Sequence, residues 1–446
     1  MKNRRFPNPL VLLTLCILLA SVLTYLVPAG QFDRKEDPVT GRNIVVSGTY
    51  KAVSAKPVNL WEALMSIPRG LQSAGSVIFL VFISGAAFGL VDKTGALRWA
   101  VEALIRKLSR RKIWVIPVIS LFFVVGGAVI NLQEEIIPLV PVLLILTRRL
   151  GYSAVVAVAV SIGAAAIGAA FSPFNPFQVI IAQKLAQVPL LSGMGFRLVF
   201  GGVAWAFWTW WVMRFAQNTA EEPEITKDEL VTGPVWRHLL VLFLVVATLA
   251  IYVVGITAYG WEFDQLTVLY FLLGLFAAFI AQLTMEETVN GFIQGLESMA
   301  FAGMIIGFAK AIFVVLDQGQ IIDTIVYGLF IPIANLPVSL SAMAMMGLQG
   351  ALHFAVPSVS GQAVLTLPVL VPLSDLLGLS RNITVLAYQY GAGLAELVVP
   401  TNGALMAILA ASGVRYEVWT RFLWPALLVL GGIGLLGIVL GIYIGV

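Results

Sequence analysis

Long apolar runs, cut at intervals by short polar turns, dominate this 446-residue chain. A membrane-crossing helix takes roughly 20 consecutive apolar residues. By that measure spans are predicted at 9–27, 74–92, 153–185, 196–214, 237–257, 264–283, 299–316, 382–413 and 420–443. Two further runs, 113–148 and 331–377, are interrupted midway by polar or Gly/Pro-containing residues. Each reads as a re-entrant hairpin, an apolar arm, a polar tip and a second apolar arm. Residues 28–60 are polar, with turn signals at Asp37-Pro38 and Thr40-Gly41 and a strand-like run at Ile44–Val46, and 217–235 form a charged linker. The run from Pro9 to Val27 is longer than the apolar core of a signal peptide, which is about 7–15 residues. It is read as a retained first helix.

The spans 153–185 and 382–413 exceed what a straight crossing needs. Each holds a helix-breaking patch: Ser172-Pro173-Phe174-Asn175-Pro176 in one, Pro400-Thr401-Asn402-Gly403 in the other. Proline removes a backbone donor and clashes with the preceding turn, so neither patch continues a regular helix. The two patches share a register. An offset of 227 pairs Pro173 with Pro400 and Asn175 with Asn402, and also Pro141 with Pro368, Gly151 with Gly378 and Ser153 with Ser380. Upstream, an offset of 225 pairs Gly70 with Gly295, Leu71 with Leu296, Ser73 with Ser298 and Asp92 with Asp317.

The expected fold is therefore an all-α polytopic membrane protein with two inverted repeats, each carrying a re-entrant hairpin and a broken transmembrane helix. Residues 1–60 supply a first helix and an extracytoplasmic segment, 61–216 repeat 1, 217–284 a charged cytoplasmic linker with two connecting helices, and 285–446 repeat 2.

Composition supports this class. Hydrophobic residues make up 59% of the chain and charged residues 11%, with a mean hydropathy of +0.95, where a soluble chain carries about 25% charged residues. The net charge of +4 sits in short loops and implies no nucleic-acid partner. Lys93, Arg98, Arg106, Lys107, Arg110, Arg111 and Lys112, with Arg148-Arg149 and the N-terminal Lys2, Arg4 and Arg5, mark one side as cytoplasmic. Nine spans then place the C-terminus outside. Cys16 is the single cysteine, so no intramolecular disulfide forms, and His238 and His353 alone make no histidine-rich metal site. HExxH, Gly-x-Ser-x-Gly and phosphate-loop motifs are absent, which argues against a membrane enzyme and against ATP-driven transport.

The hairpin tips align as well: Asn131, Gln133, Glu134 and Glu135 match Ser358, Ser360, Gly361 and Gln362 at the offset of 227. Transporters commonly form their sites where discontinuous helices of inverted repeats meet at the bilayer midplane. Ionisable groups at apolar depth are Glu134, Glu135, Glu396 and Lys310, and each is costly in lipid unless paired. Three acids against one lysine suit a cationic or zwitterionic substrate, or a coupling cation. The half-helices after Pro176 and Asn402 aim positive dipole ends at the centre, worth up to ~2 kcal/mol each when partly buried, which suits a carboxylate on the substrate.

A tip followed by a broken helix, repeated and inverted, resembles the ion transporter superfamily. Val27-Pro28-Ala29-Gly30-Gln31-Phe32, Asn131-Leu132-Gln133-Glu134-Glu135 and Pro400-Thr401-Asn402-Gly403 resemble, more closely, the YfcC-like branch of the C4-dicarboxylate anaerobic carrier family. The resemblance implies a secondary transporter of the inner membrane, working as an elevator-type homodimer in which a scaffold domain holds a mobile transport domain. It implies as substrate a small carboxylate-bearing metabolite, either an amino acid, including a basic one as in arginine/ornithine exchange, or a C4-dicarboxylate. The only partners expected are this small molecule, membrane lipid and a second copy. Sodium or protons are the expected coupling ions, and no cofactor is expected. By the same resemblance, Asn131, Ser172, Asn175, Ser358, Ser360, Thr401 and Asn402 bind substrate or ion. Gln133, Glu134, Glu135 and Gln362 join them from the tips, and Glu396, Lys310 and His353 are candidate coupling groups. Better-known superfamily members carry Ser-Asn-Thr at the tip, where this chain has Asn131-Leu132-Gln133-Glu134-Glu135. A channel and a membrane enzyme are the remote alternatives.

Overall fold

The computed structural model describes residues 9–37, 42–97, 99–100, 103, 112–220, 234–330, 332–333 and 336–446. The basic residues Lys2, Arg4, Arg5, Arg98, Arg106, Lys107, Arg110 and Arg111, and most of the 217–235 linker, lie outside the described residues. Among the described residues, seven helices are long and apolar enough to cross a membrane. The chain is a multi-pass membrane protein.

The fold is not purely helical. After the first helix, Pro9–Leu26, the polar segment makes two antiparallel ribbons, Gly30–Gln31 with Lys51–Ala52 and Arg34–Asp37 with Arg42–Val45. The strand-like run expected at Ile44–Val46 overlaps the second ribbon, where Ile44 faces Lys35. Main-chain groups of this segment find partners far along the chain. Gly30 donates to the Gln320 carbonyl at 2.9 Å, and the Phe32 amide to buried Asp323 at 2.9 Å, which Arg34 also pairs with at 2.9 Å.

The predicted spans 74–92 and 299–316 prove to be parts of longer helical segments. The helices Leu60–Ser73 and Gly75–Lys93 follow one another with a break at Ala74, and the second copy runs unbroken as Met285–Gln318. Hydropathy alone missed the front halves because they are amphipathic and open with capping boxes, Asn59 with Glu62 and Thr284 with Glu287. These boxes stand 225 residues apart, the same offset as the glycine matches. Pro68 lies in the first copy before its break; Ile293 stands at the matching position of the straight helix.

The two segments cross through glycines. Gly70 lies against Gly307 and Ala311, and Gly85 against Gly295 and Met299, so one residue number rises as the other falls and the helices run antiparallel. At the crossing Gly303 meets Ile78, its own partner at the offset of 225. Small residues permit this approach in lipid, where van der Waals packing replaces hydrophobic association. A Cβ at Gly70 would stand 2.5 Å from the Gly307 carbonyl oxygen.

Each of the two interrupted runs forms a pair of helices joined at a polar tip, and both breaks are present; one arm of each pair, Lys112–Ile130 and Val359–Leu376, is itself long and apolar enough to cross a membrane. The first hairpin runs Val115–Ile130, a tip at 131–133, the 3-10 turns Glu134–Leu139 and then Val140–Leu150. Asn131 ends the first arm at φ 56°, a left-handed conformation that asparagine tolerates better than most residues. The second hairpin runs Val338–Leu352 and Val359–Leu376. The broken helices are Ala154–Ala170 followed by Pro176–Ile180 and Ile181–Leu185, and Arg381–Ala395 followed by Gly403–Ser412. The first arm of each hairpin packs on the first half of its own broken helix. The second arms pack on both halves: each touches its own broken helix, while Gly403–Ser412 also packs on the first hairpin and Ile181–Leu185 on the second. The helices Met194–Asn218, Val235–Tyr259, Phe263–Ala281, Ile322–Phe330 and Tyr416–Ile444 complete the chain.

Candidate functional site

The aligned asparagines do the same work in both breaks. Asn175 caps the half-helix that starts at Pro176, accepting from the Phe177 and Gln178 amides at 2.9 Å. Asn402 caps Gly403–Ser412, accepting from the Leu405 amide at 3.1 Å. Each break is also tied to its own hairpin by a hydroxyl. Ser172 donates to the Ala128 carbonyl at 2.9 Å, and Thr401 to the Phe354 carbonyl at 3.0 Å. Prolines end these helices, and the cap oxygens supply acceptors for amides that would otherwise be orphaned.

From this frame the first tip projects a polar cluster. The Asn131 side-chain oxygen accepts from the amides of Asn175 (3.2 Å) and Gln178 (3.1 Å). Gln133 donates to one oxygen of Glu396 at 2.6 Å, and Gln178 approaches the other at 3.5 Å. Glu396 is 5% exposed, and among the described residues no ion pair reaches it. Thus Asn131, Gln133, Asn175 and Glu396, separated by up to 265 residues, come together.

Gln178 is the member that sequence reasoning missed. Its signal is positional: it is the polar residue in the first turn after Pro176, where the Asn175 carbonyl accepts from both Val179 and Ile180 and widens the turn to π geometry. Such π turns often mark functional sites.

The other two acids lie at the same tip. Glu135, 4% exposed, accepts from the Gln133 amide at 3.1 Å and is hydrogen-bonded by Tyr252, with Tyr270 nearby. It thus faces helices outside the hairpins. Glu134 lies close enough to act on both Glu135 and Glu396. Two buried carboxylates, Glu135 and Glu396, held by amides and a phenol beside half-buried Glu134, call for a mobile cation or a proton as the compensating charge.

The second tip is organised differently. Gln362 lies inside the arm rather than at the tip; its amide donates to the Gln349 carbonyl at 2.7 Å and bonds the Gln349 side chain. His353 Nδ1 pairs with the Gln362 side-chain oxygen at 2.9 Å, and Gln349 donates to Thr366 at 2.9 Å. These groups lock the two arms together. Ser358 caps the second arm, accepting from the Gly361 amide at 3.2 Å, and lines a cavity of about 470 Å³ that also takes in Lys310. Ser360 follows it in the first turn of the arm. Lys310 sits over the Phe313 ring at 4.9 Å, so the partner of Glu396 is Gln133 and not Lys310. The two tips thus differ, with an amide–carboxylate cluster at the first and an open cavity at the second.

Arg197, fully buried, was also missed, because its position at the head of span 196–214 reads as an interfacial charge. It donates to Gln389 at 3.0 Å, which in turn donates to the Ser172 carbonyl at 2.7 Å and so braces the first break.

A multi-pass bundle in which hairpin tips and interrupted helices bring buried polar groups together is the build of a membrane transporter. The description "C4-dicarboxylate anaerobic carrier" (DcuC) matches residues 6–443, and the chain belongs to that family of transporters, as the motifs led one to expect. It is 29% identical to YfcC of Escherichia coli (strain K12), whose name proposes a basic amino acid antiporter, over 93% of this chain and 92% of that one. It is 27% identical to an uncharacterized protein of Haemophilus influenzae (strain ATCC 51907 / DSM 11121 / KW20 / Rd), over 97% and 96%. Among solved structures, the Alcanivorax borkumensis YdaH transporter aligns at 13% identity and a TM-score of 0.43, covering 98% of this chain and 99% of that one. Neisseria gonorrhoeae MtrF, titled as one of a class of antimetabolite efflux pumps, aligns at 15% and 0.44, covering 99% and 96%.

Proposed function

We propose that the protein is a secondary active transporter of the inner membrane that moves a small carboxylate-bearing metabolite, an amino acid and specifically a basic one. The observation that carries this reading is the first-tip cluster, where Glu135 and Glu396 are buried with half-buried Glu134 beside them and no described residue pairs with Glu396 as a cation. A dianionic substrate would meet repulsion there, whereas an ammonium group, sodium or a proton supplies the missing charge. The alternative, a C4-dicarboxylate carrier, draws its support from the family's description. Counterflow in proteoliposomes decides between them. Liposomes loaded with unlabelled L-arginine should accumulate labelled L-arginine, and those loaded with succinate should not accumulate labelled succinate. The reverse result ends the amino-acid reading, and labelled flux without exchange points to a channel.

The two halves act as inverted repeats in an elevator-type homodimer. Support comes from the antiparallel crossing of Leu60–Lys93 with Met285–Gln318, segments of equal length that open with capping boxes 225 residues apart. Helices related by sequence can run antiparallel beside each other only if one copy is turned over relative to the other. Threading nine crossings from a cytoplasmic N-terminus sets Ser47 outside and Asn218 inside. On a Cys16→Ser background, a membrane-impermeant maleimide applied to intact cells should label Ser47→Cys and spare Asn218→Cys. The opposite pattern overturns this orientation.

A further inference from the structure

The cavity at the second hairpin has a counterpart elsewhere in the bundle. A second cavity, of about 290 Å³, lies between the first hairpin and the segment Gly75–Lys93. The offset of 225 carries Phe313 of the first cavity onto Phe88 of the second, and Asp317 onto Asp92; the offset of 227 carries Leu365 onto Pro138. In the proposed topology the two cavities open on opposite sides of the membrane, the larger one outward. Among these aligned lining positions one differs in charge. Lys310 stands in the outer cavity where the inner one has Gly85.

Lys310 has no carboxylate within ion-pair distance among the described residues; its ammonium group rests on the Phe313 ring. Asp317 lies seven residues further along the same helix, exposed in the lining of the same cavity, and no ion pair joins it to Lys310 among the described residues. Seven residues are two helical turns, so the two groups share a face and their backbones stand about 10 Å apart. The other two charges of the cavity, Arg34 and Asp323, pair with each other. Lys310 and Asp317 then stand as a cation and an anion two turns apart, with Arg34 also acting on Asp317, beside the amino end of the arm Val359–Leu376 capped by Ser358.

We propose that this cavity is an outward-side binding site for an elongated zwitterion, its carboxylate on Lys310 and its distal cation on Asp317. An α-amino acid with an apolar side chain carries both charges on one carbon and cannot bridge the pair. A basic amino acid can. The site lies apart from the first-tip cluster and gives the outer face an affinity that Gly85 denies the inner one. The inference rests on the reading of the protein as a carrier of carboxylate-bearing metabolites.

The test uses the full-length protein purified in detergent, with binding read from the dependence of the unfolding midpoint on concentration of L-arginine, agmatine, which lacks the carboxylate, and glutarate, which lacks the cation. Wild type should bind L-arginine most tightly. Lys310→Gln should weaken L-arginine binding on the order of tenfold or more, the loss of one charge-assisted hydrogen bond, and leave agmatine unmoved. Asp317→Asn should weaken L-arginine and agmatine and leave glutarate unmoved. Lys310→Arg should retain binding, and it guards against a folding defect. Binding of L-arginine that ignores both Lys310→Gln and Asp317→Asn overturns the site, as does a wild type that binds none of the three probes. Counterflow by the wild type separates the two readings: if exchange persists while the variants bind normally, the carrier stands and the outer site falls; if no substrate exchanges, the carrier reading itself falls.

Discussion

Glu396→Gln should lower uptake on the order of 10- to 100-fold without lowering stability. The carboxylate accepts from Gln133 at 2.6 Å and stands near Gln178 at 3.5 Å, buried with no described cation beside it. A glutamine at this position keeps the shape and one oxygen acceptor, so the amide contact with Gln133 survives. Only the charge is lost. Hydrogen bonds to charged groups are worth about 1.5–3 kcal/mol, which sets the size of the drop if that charge holds a substrate ammonium or a coupling ion. Removing an uncompensated buried charge tends to stabilise the fold, so the unfolding midpoint should hold or rise as uptake falls. The measurement is initial uptake against pH and sodium, beside thermal unfolding of the same preparation. Wild-type uptake with wild-type ion dependence would make the cluster a packing device.

Gly168→Val should abolish assembly of the first half, or destabilise it by about 3 kcal/mol or more, at the upper end of overpacking costs. A Cβ at Gly168 would overlap the Val124 carbonyl, and one at Gly127 the Ala165 carbonyl, because the first hairpin arm and the first broken helix cross at backbone contact. The obstructing atoms are main chain, so no rotamer change relieves them. The same crossing recurs in the second half, where Gly391 lies against the Met346 carbonyl. Asn131 and Asn175 hang from the two helices that Gly127 and Gly168 bring together, so separating them also pulls the cluster apart. Gly202→Ala is the control. No atom lies within 4 Å of a Cβ there, and alanine favours a helix interior by about 0.8–1.0 kcal/mol over glycine. Size-exclusion profiles and unfolding midpoints of the two variants should part in opposite directions from wild type.

Much of the bundle was legible because its determinants are local. Hydropathy marked the chain as a multi-pass membrane protein, and paired proline and asparagine patches located both breaks to within a few residues. The interrupted apolar runs showed both helix pairs, and two offsets in numbering, 225 and then 227, related the two halves. The amphipathic Leu60–Ser73 escaped notice because a search by hydropathy passes over a helix with a polar face.

Side-chain partnership lay beyond that reach. Glu396 meets Gln133 across 263 residues, Gln178 joins them, Glu135 turns to Tyr252, and Gln362 withdraws into its own hairpin. Chain order carries no record of which tip faces which break. That depends on how closely glycine seams let the halves approach and on which arm crosses to the other half. A shift of one helical turn at either seam would give Gln133, Gln178 and Glu396 different partners. The sequence by itself determined the parts and their repetition; packing of the two halves alone decided which polar groups meet.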